Sequence, residues 1–152
     1  MAGRLYETHV KVRNLERAKG FYEKLGMTAA HEVKSRGASF FYFGDAKEQM
    51  LGVWEVASEH WTSSHFAFRV SLEQLLGAEK WLSERGIKLK EAFGLPPIEP
   101  IVHTWMPAAA VYFEDPDGNP LEFIALLDDD GILPPSEGVR YLSEWLANAD
   151  KG

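Results

Sequence analysis

Two stretches of this chain, HVKVR at residues 9–13 and HFAFR at residues 65–69, begin the same pattern twice. A repeat constrains the fold more than any single motif, because each copy must build the same kind of unit. In the first copy, residues 5–12 read as a strand. Glu7, His9 and Lys11 share one face, and Tyr6, Thr8, Val10 and Val12 share the other. Asn14 is a good helix N-cap. Leu15, Ala18, Phe21, Tyr22 and Leu25 then recur at helical spacing, and Gly26 stops the helix. Strands follow over residues 28–33, 38–43 and 49–56, with a turn at Gly44-Asp45 between the last two.

The second copy restarts after a polar stretch at residues 58–64. Residues 65–70 read as a strand, and Ser71 with Gln74 makes a capping box. The helix behind it runs to about Glu84, with Leu72, Leu75, Leu76 and Leu82 on its apolar side, and ends at Gly86. Strands are expected over residues 87–92, 108–113 and 121–127. Residues 93–107 hold four prolines and are expected to form a long loop, a feature often tied to function. A last helix is expected over about residues 136–149, with Val139, Leu142, Trp145 and Leu146 on one face. The acidic run at residues 128–130 reads as a solvated linker.

Within this frame one residue is anomalous. The segment VYFEDPDGNPLEFIALL, residues 111–127, reads as strand, tight turn, strand, with Pro116 presetting φ and Gly118 able to take a positive φ. Glu122 sits in the middle of the apolar second strand. A buried carboxylate is costly without a partner, and a cation is one such partner.

DPDGNPLEF also resembles the last hairpin of the vicinal oxygen chelate superfamily, which includes glyoxalases, fosfomycin resistance proteins, extradiol dioxygenases and bleomycin-binding proteins. ETHVKVRNLERAKGFYEKLGM at residues 7–27 resembles the family's first strand and helix, and SSHFAFRV at residues 63–70 the strand that opens its second half. The resemblance implies one α+β domain: two βαβββ modules, about residues 4–57 and 63–127, forming a curved mixed sheet around a shared cavity, plus the C-terminal helix.

It also implies one divalent ion (Mn, Zn, Ni, Fe or Mg) held by Glu7, His65 and Glu122. The helix start at residues 12–15 favours Glu7 as the first-strand ligand, with His9 one step along as a catalytic group. Matching the two histidine repeats instead makes His9 the ligand, and His9, His65 and Glu122 are the donor set of an extradiol dioxygenase. No convincing fourth ligand stands in residues 49–56. Trp54, His103 and Trp105 are the candidate substrate-binding residues. Two functions follow as expectations. One is a metal-dependent enzyme of glyoxalase or fosfomycin-resistance type acting on a small substrate with vicinal oxygens. The other is a metal-free small-molecule binding protein of bleomycin-resistance type, its pocket built from aromatic residues.

Composition narrows the field. A net charge of −7 without a basic patch argues against nucleic acid. Cysteine is absent, which excludes disulfides and thiol chemistry by the protein itself. No apolar run is long enough to span a membrane, and the first residues lack a signal-peptide core, so a cytoplasmic location is expected. Open sheet edges and the last helix suggest a homodimer.

Overall fold

The computed structural model describes residues 3–127 and 138–149. Its elements are β1 (Glu7–Val12), α1 (Leu15–Lys24), β2 (Thr28–Val33), β3 (Ala38–Tyr42), β4 (Met50–Glu55), β5 (Phe66–Arg69), α2 (Leu72–Leu76), α3 (Ala78–Ser83), β6 (Ile101–His103), β7 (Ala108–Glu114), β8 (Pro120–Leu126), β9 (Val139–Tyr141) and α4 (Leu142–Ala149). The sheets have strand orders β1-β4-β3-β2 and β5-β8-β7-β6-β9. The repeat is therefore real at the level of topology: the second sheet follows the order of the first and adds β9. The class is α+β with a C-terminal helix, as expected. The chain divides into two compact units: residues up to Phe66 with Asp115–Pro120, and Ala67–Glu114 with the described residues from Leu121 onward.

In the first unit β1 runs parallel to β4, while β4, β3 and β2 pair antiparallel. Period-two alternation gives this sheet two different faces. Val10, Val12, Phe41, Leu51 and Val53 are buried on one of them. Against that side lies α1, through buried Leu15, Ala18, Phe21 and Tyr22. Burying a side chain such as Phe41 contributes about 1.5–3 kcal/mol. Asn14 caps α1 by accepting from Arg17 N at 2.8 Å, and Gly26 leaves the helix at φ 85°.

The turn at residues 115–119 forms as expected, with Gly118 N donating to Asp115 O at 3.0 Å and Gly118 at φ 89°. Its two aspartates have roles that composition did not reveal. Asp115, 5% exposed, accepts from Asp117 N, Asn119 N, Asn119 Nδ2 and the Tyr22 hydroxyl, all at 2.7–2.9 Å. These donors offset the cost of burying its charge. Burial, and then the neighbouring Asp115 charge, pushes the Tyr22 phenol far above its ordinary range. Asp117 Oδ1 accepts from Arg13 N at 3.1 Å and from Arg17 at 3.0 Å.

In the second unit α2 opens on the expected capping box, with Ser71 and Gln74 bonding each other's backbone N–H at 2.8 and 3.1 Å. The expected helix over residues 72–84 is two short helices, because Gly77 both ends α2 and begins α3. Phe123 centres the core, with Phe68, Trp81 and Phe113 at ring distances of 5.6, 6.1 and 4.8 Å. Leu76 is 61% exposed and lies off the apolar side assigned to it.

Three further expectations are corrected. Residues 87–92 form no strand and make only isolated bridges, Lys90 to Tyr112 and Ala92 to Leu95. The proline-rich segment 93–107 is not all loop, since β6 lies within it and pairs with both β7 and β9. The C-terminal helix begins at Leu142, and Val139 belongs to a strand instead of its apolar face. Leu142 and Trp145 are buried, whereas Leu146 is 50% exposed. The acidic run at 128–130 and the expected helix start at 136 lie outside the described residues. Among the described residues no helix is long and apolar enough to cross a membrane.

Candidate functional site

Glu7, His9 and Lys11 share the face of the first sheet opposite α1, as their alternation predicts. Parallel pairing sets His9 beside Gly52, and β3 places Phe40 across the same glycine. The result is a cluster. His9 Nε2 lies 2.6 Å from Glu7 Oε1, and the Trp54 indole N–H donates to His9 Nδ1 at 2.6 Å. An indole N–H can only donate, so Nδ1 must be the acceptor, and the imidazole proton sits on Nε2 and points at Glu7. Trp54 stacks on His9 with ring centroids 5.6 Å apart and 23° between planes, and Phe40 meets both rings edge-on.

Gly52 makes this packing feasible. A Cβ there would come within 3.0 Å of His9 Nδ1 and of Trp54 Nε1, and within 3.1 Å of Phe40 Cε1. The cluster is open to solvent, with the His9 side chain 46% exposed and that of Glu7 34% exposed. A hydrogen-bonded imidazole and carboxylate, set over aromatic rings, can hold a flat ligand by its edge and face.

The other expected residues are distributed as follows. His65 immediately precedes β5 in the first unit, with Nδ1 3.0 Å from the Pro120 carbonyl oxygen. A carbonyl only accepts, so Nδ1 carries the proton and Nε2 the lone pair. Glu122 lies in β8 of the second unit and is buried, at 5% exposure. Arg13 pairs with Asp117. Trp105 is 60% exposed.

His103, expected in a loop, is instead the last residue of β6 and is buried. Its Nε2 lies 2.7 Å from the Tyr112 hydroxyl. Burial holds its imidazole below the ordinary value of 6.5, and the Glu122 charge opposes that shift. Burial first, then the charge and hydrogen bond of Glu122, push the Tyr112 phenol well above its ordinary value. Tyr112 was missed at the sequence level. Its signal was present, since a strand tyrosine two residues beyond Ala110 shares a face with residues 108 and 110.

Among the described residues no group of three or more histidine, aspartate or glutamate side chains comes together to hold an ion. His9 has both ring nitrogens engaged, one by Glu7 and the other by Trp54. In this arrangement His9 offers an ion no free ring nitrogen.

Comparison with known proteins places these features in a lineage. The profile of the Glyoxalase/Bleomycin resistance protein/Dioxygenase superfamily matches residues 5–123. An integron cassette protein from the mobile metagenome of a Halifax Harbour sewage outfall is 33% identical, with TM-score 0.69 over 82% of this chain and 100% of that one. A glyoxalase/bleomycin resistance protein/dioxygenase from Nocardioides is 22% identical, with TM-score 0.64 over 91% of each chain. A lactoylglutathione lyase from Agrobacterium tumefaciens is 19% identical, with TM-score 0.63 over 82% of this chain and 94% of that one. The last two show the fold alone. No curated protein matches the sequence.

Proposed function

The chain belongs to the Glyoxalase/Bleomycin resistance protein/Dioxygenase superfamily, and within it we propose a protein that binds a small planar molecule without a resident metal. The observation that carries this reading is the Glu7–His9–Trp54 cluster over Gly52. Trp54 and Phe40 supply stacking area, and Glu7 and His9 supply an acceptor and a donor that a ligand's polar edge can exchange for its own. Exchange costs little here, because both side chains are partly in water already. His9 is also the group best placed to take a proton. A ligand that displaces the indole N–H meets the Nδ1 lone pair, while Glu7 steadies the imidazolium that forms.

Members of this superfamily commonly use a divalent metal, and the tautomer of His65 favours a second reading in which this chain does so as well. A histidine that gives its Nδ1 proton to a backbone carbonyl is arranged as metal-ligating histidines are. That reading is an enzyme of glyoxalase or fosfomycin-resistance type with His65 among the ligands of one divalent ion.

One experiment separates them. Purified protein is screened by thermal shift against flat aromatic acids, amides and heterocycles, with and without EDTA, and its metal content is measured by elemental analysis. The first reading expects ligands whose stabilisation survives the chelator and is lost in Trp54→Ala and His9→Ala. About one ion per chain, lost in His65→Ala and required for every stabilising ligand, would replace it with the second.

A further inference from the structure

The face that carries Glu7 and His9 continues one step further along β1, to a cation that the aromatic cluster leaves unused. Alternation puts Lys11 on that face, and the parallel register sets Lys11 beside Trp54 as it sets His9 beside Gly52. The row is therefore polar from end to end: carboxylate at Glu7, imidazole at His9, ammonium at Lys11. Its two ends stand about 13 Å apart along the backbone, four residues at strand rise. The Trp54 indole stacks on His9, so the aromatic platform begins at the strand position beside Lys11.

Lys11 is exposed, and its ammonium donates to Thr62 Oγ1 at 3.4 Å. Among the described residues no carboxylate pairs with it. The next cation in the chain, Arg13, differs: it lies over the Trp61 ring at 4.0 Å and pairs with Asp117. An ammonium cannot accept, so the Thr62 hydroxyl accepts from Lys11 and keeps its own proton to give. Both donors are held in place from the backbone. The Trp61 indole N–H and Asn119 Nδ2 each donate to Lys11 O at 3.0 Å, and Ser64 N donates to Asn119 Oδ1 at 3.0 Å. These bonds tie the segment to the end of β1 on both sides of Thr62, so little ordering is left for a ligand to impose.

We infer that Lys11 and Thr62 form an anion seat at the end of the aromatic face, and that the planar ligand proposed above is an acid whose carboxylate sits there. The inference rests on that reading of the face and adds the ligand's charge and orientation to it. The carboxylate accepts from Lys11 Nζ and from the Thr62 hydroxyl, the first of these a charge-assisted bond. Its planar body lies against Trp54. Glu7 at the far end of the row repels the acid and accepts from any N–H or O–H donor. The ligand therefore binds in one direction, acid towards Lys11 and donors towards Glu7.

The test uses two probes of one shape that differ by a single charge, indole-5-carboxylate and indole-5-carboxamide. Titration calorimetry measures both against wild type, Lys11→Gln, Lys11→Arg and Trp54→Ala, with far-UV circular dichroism confirming that each variant folds. Wild type should bind the acid roughly tenfold more tightly than the amide, the low end for a hydrogen bond to a charged group because the seat stays partly in water. Lys11→Gln should erase that preference by weakening the acid alone, and Lys11→Arg should keep it. Trp54→Ala should weaken both probes together. Added salt should weaken the acid and leave the amide unchanged. Equal binding of acid and amide by wild type, or a preference that survives Lys11→Gln, would overturn the anion seat and leave the planar-ligand reading standing. Binding of neither probe by wild type would overturn that reading, and the seat with it.

Discussion

Gly52→Ala tests the close packing around His9, because two known effects pull in opposite directions. Replacing a strand-interior glycine by alanine stabilises by about 0.5–1 kcal/mol through the unfolded chain when the native backbone tolerates it. Gly52 has no positive φ, so backbone strain does not oppose that gain. The opposing term is steric. The new methyl would meet three side-chain atoms, His9 Nδ1 and Trp54 Nε1 at 3.0 Å and Phe40 Cε1 at 3.1 Å. Overpacking of this kind costs about 1–3 kcal/mol. Losing the Trp54–His9 hydrogen bond adds about 0.5 kcal/mol, the low end of the usual range because the site is partly solvated. The balance is a loss of about 0.5–3 kcal/mol, and each 1 kcal/mol lowers the melting temperature by about 2–4 °C in a chain of this size. Urea unfolding followed by far-UV circular dichroism gives the stability, and the Trp54 indole N–H resonance gives the local geometry. A variant that gains 0.5–1 kcal/mol with the indole resonance unmoved would show that the three rings do not crowd Gly52, and would remove the basis for the proposed binding site.

Three other outcomes follow from the same geometry. Tyr22→Phe removes one of the donors to buried Asp115 and should cost about 1.5–3 kcal/mol in urea unfolding, with little change in volume. Gly118→Ala should cost about 1–2 kcal/mol from backbone strain alone, since φ is 89° and nothing lies within 4 Å of the added methyl; full stability would mean the turn relaxes at no cost. The pKa of His103 is depressed on folding, so the unfolded chain binds more protons below about pH 6.5. Its contribution is therefore present above that value and lost as pH falls through the folded value. His103→Asn should flatten the fall of the urea midpoint across this range; an identical pH profile would show that the residue titrates as it does in water.

The topology was legible because each copy carries its own punctuation. Asn14 and Ser71 bond the first turns of α1 and α2, Gly26 and Gly118 take the positive φ their positions demand, and the apolar alternation of residues 8–12 survives folding. What failed was short or depended on a distant partner. A three-residue strand leaves no period to read, so β6 hides among prolines and β9 reads as the start of a helix. At the site, the shared face of Glu7 and His9 could be read from spacing, whereas the third member, Trp54, joins them only through the parallel register of β1 and β4. The bond between His103 and Tyr112 likewise needs the β6–β7 register, which sequence separation does not give.

The strand that the repeat did not foretell has a consequence for solubility. Without β9, the outer side of β6 would present the unpaired backbone of Ile101, Val102 and His103, an apolar ribbon that another chain could extend. The strand β9 fills that place with only three residues and sets Arg140 at its middle, so the sheet now ends in a short, charged margin. Two ties hold the margin down: the Tyr141 hydroxyl donates to Pro96 O at 3.0 Å, and Glu99 caps α4 by accepting from Ser143 N and Oγ at 3.0 and 2.7 Å. A chain trimmed before residue 138 would keep its repeated architecture and lose its protection against edge-to-edge stacking, so the last dozen described residues serve colloidal behaviour as much as fold.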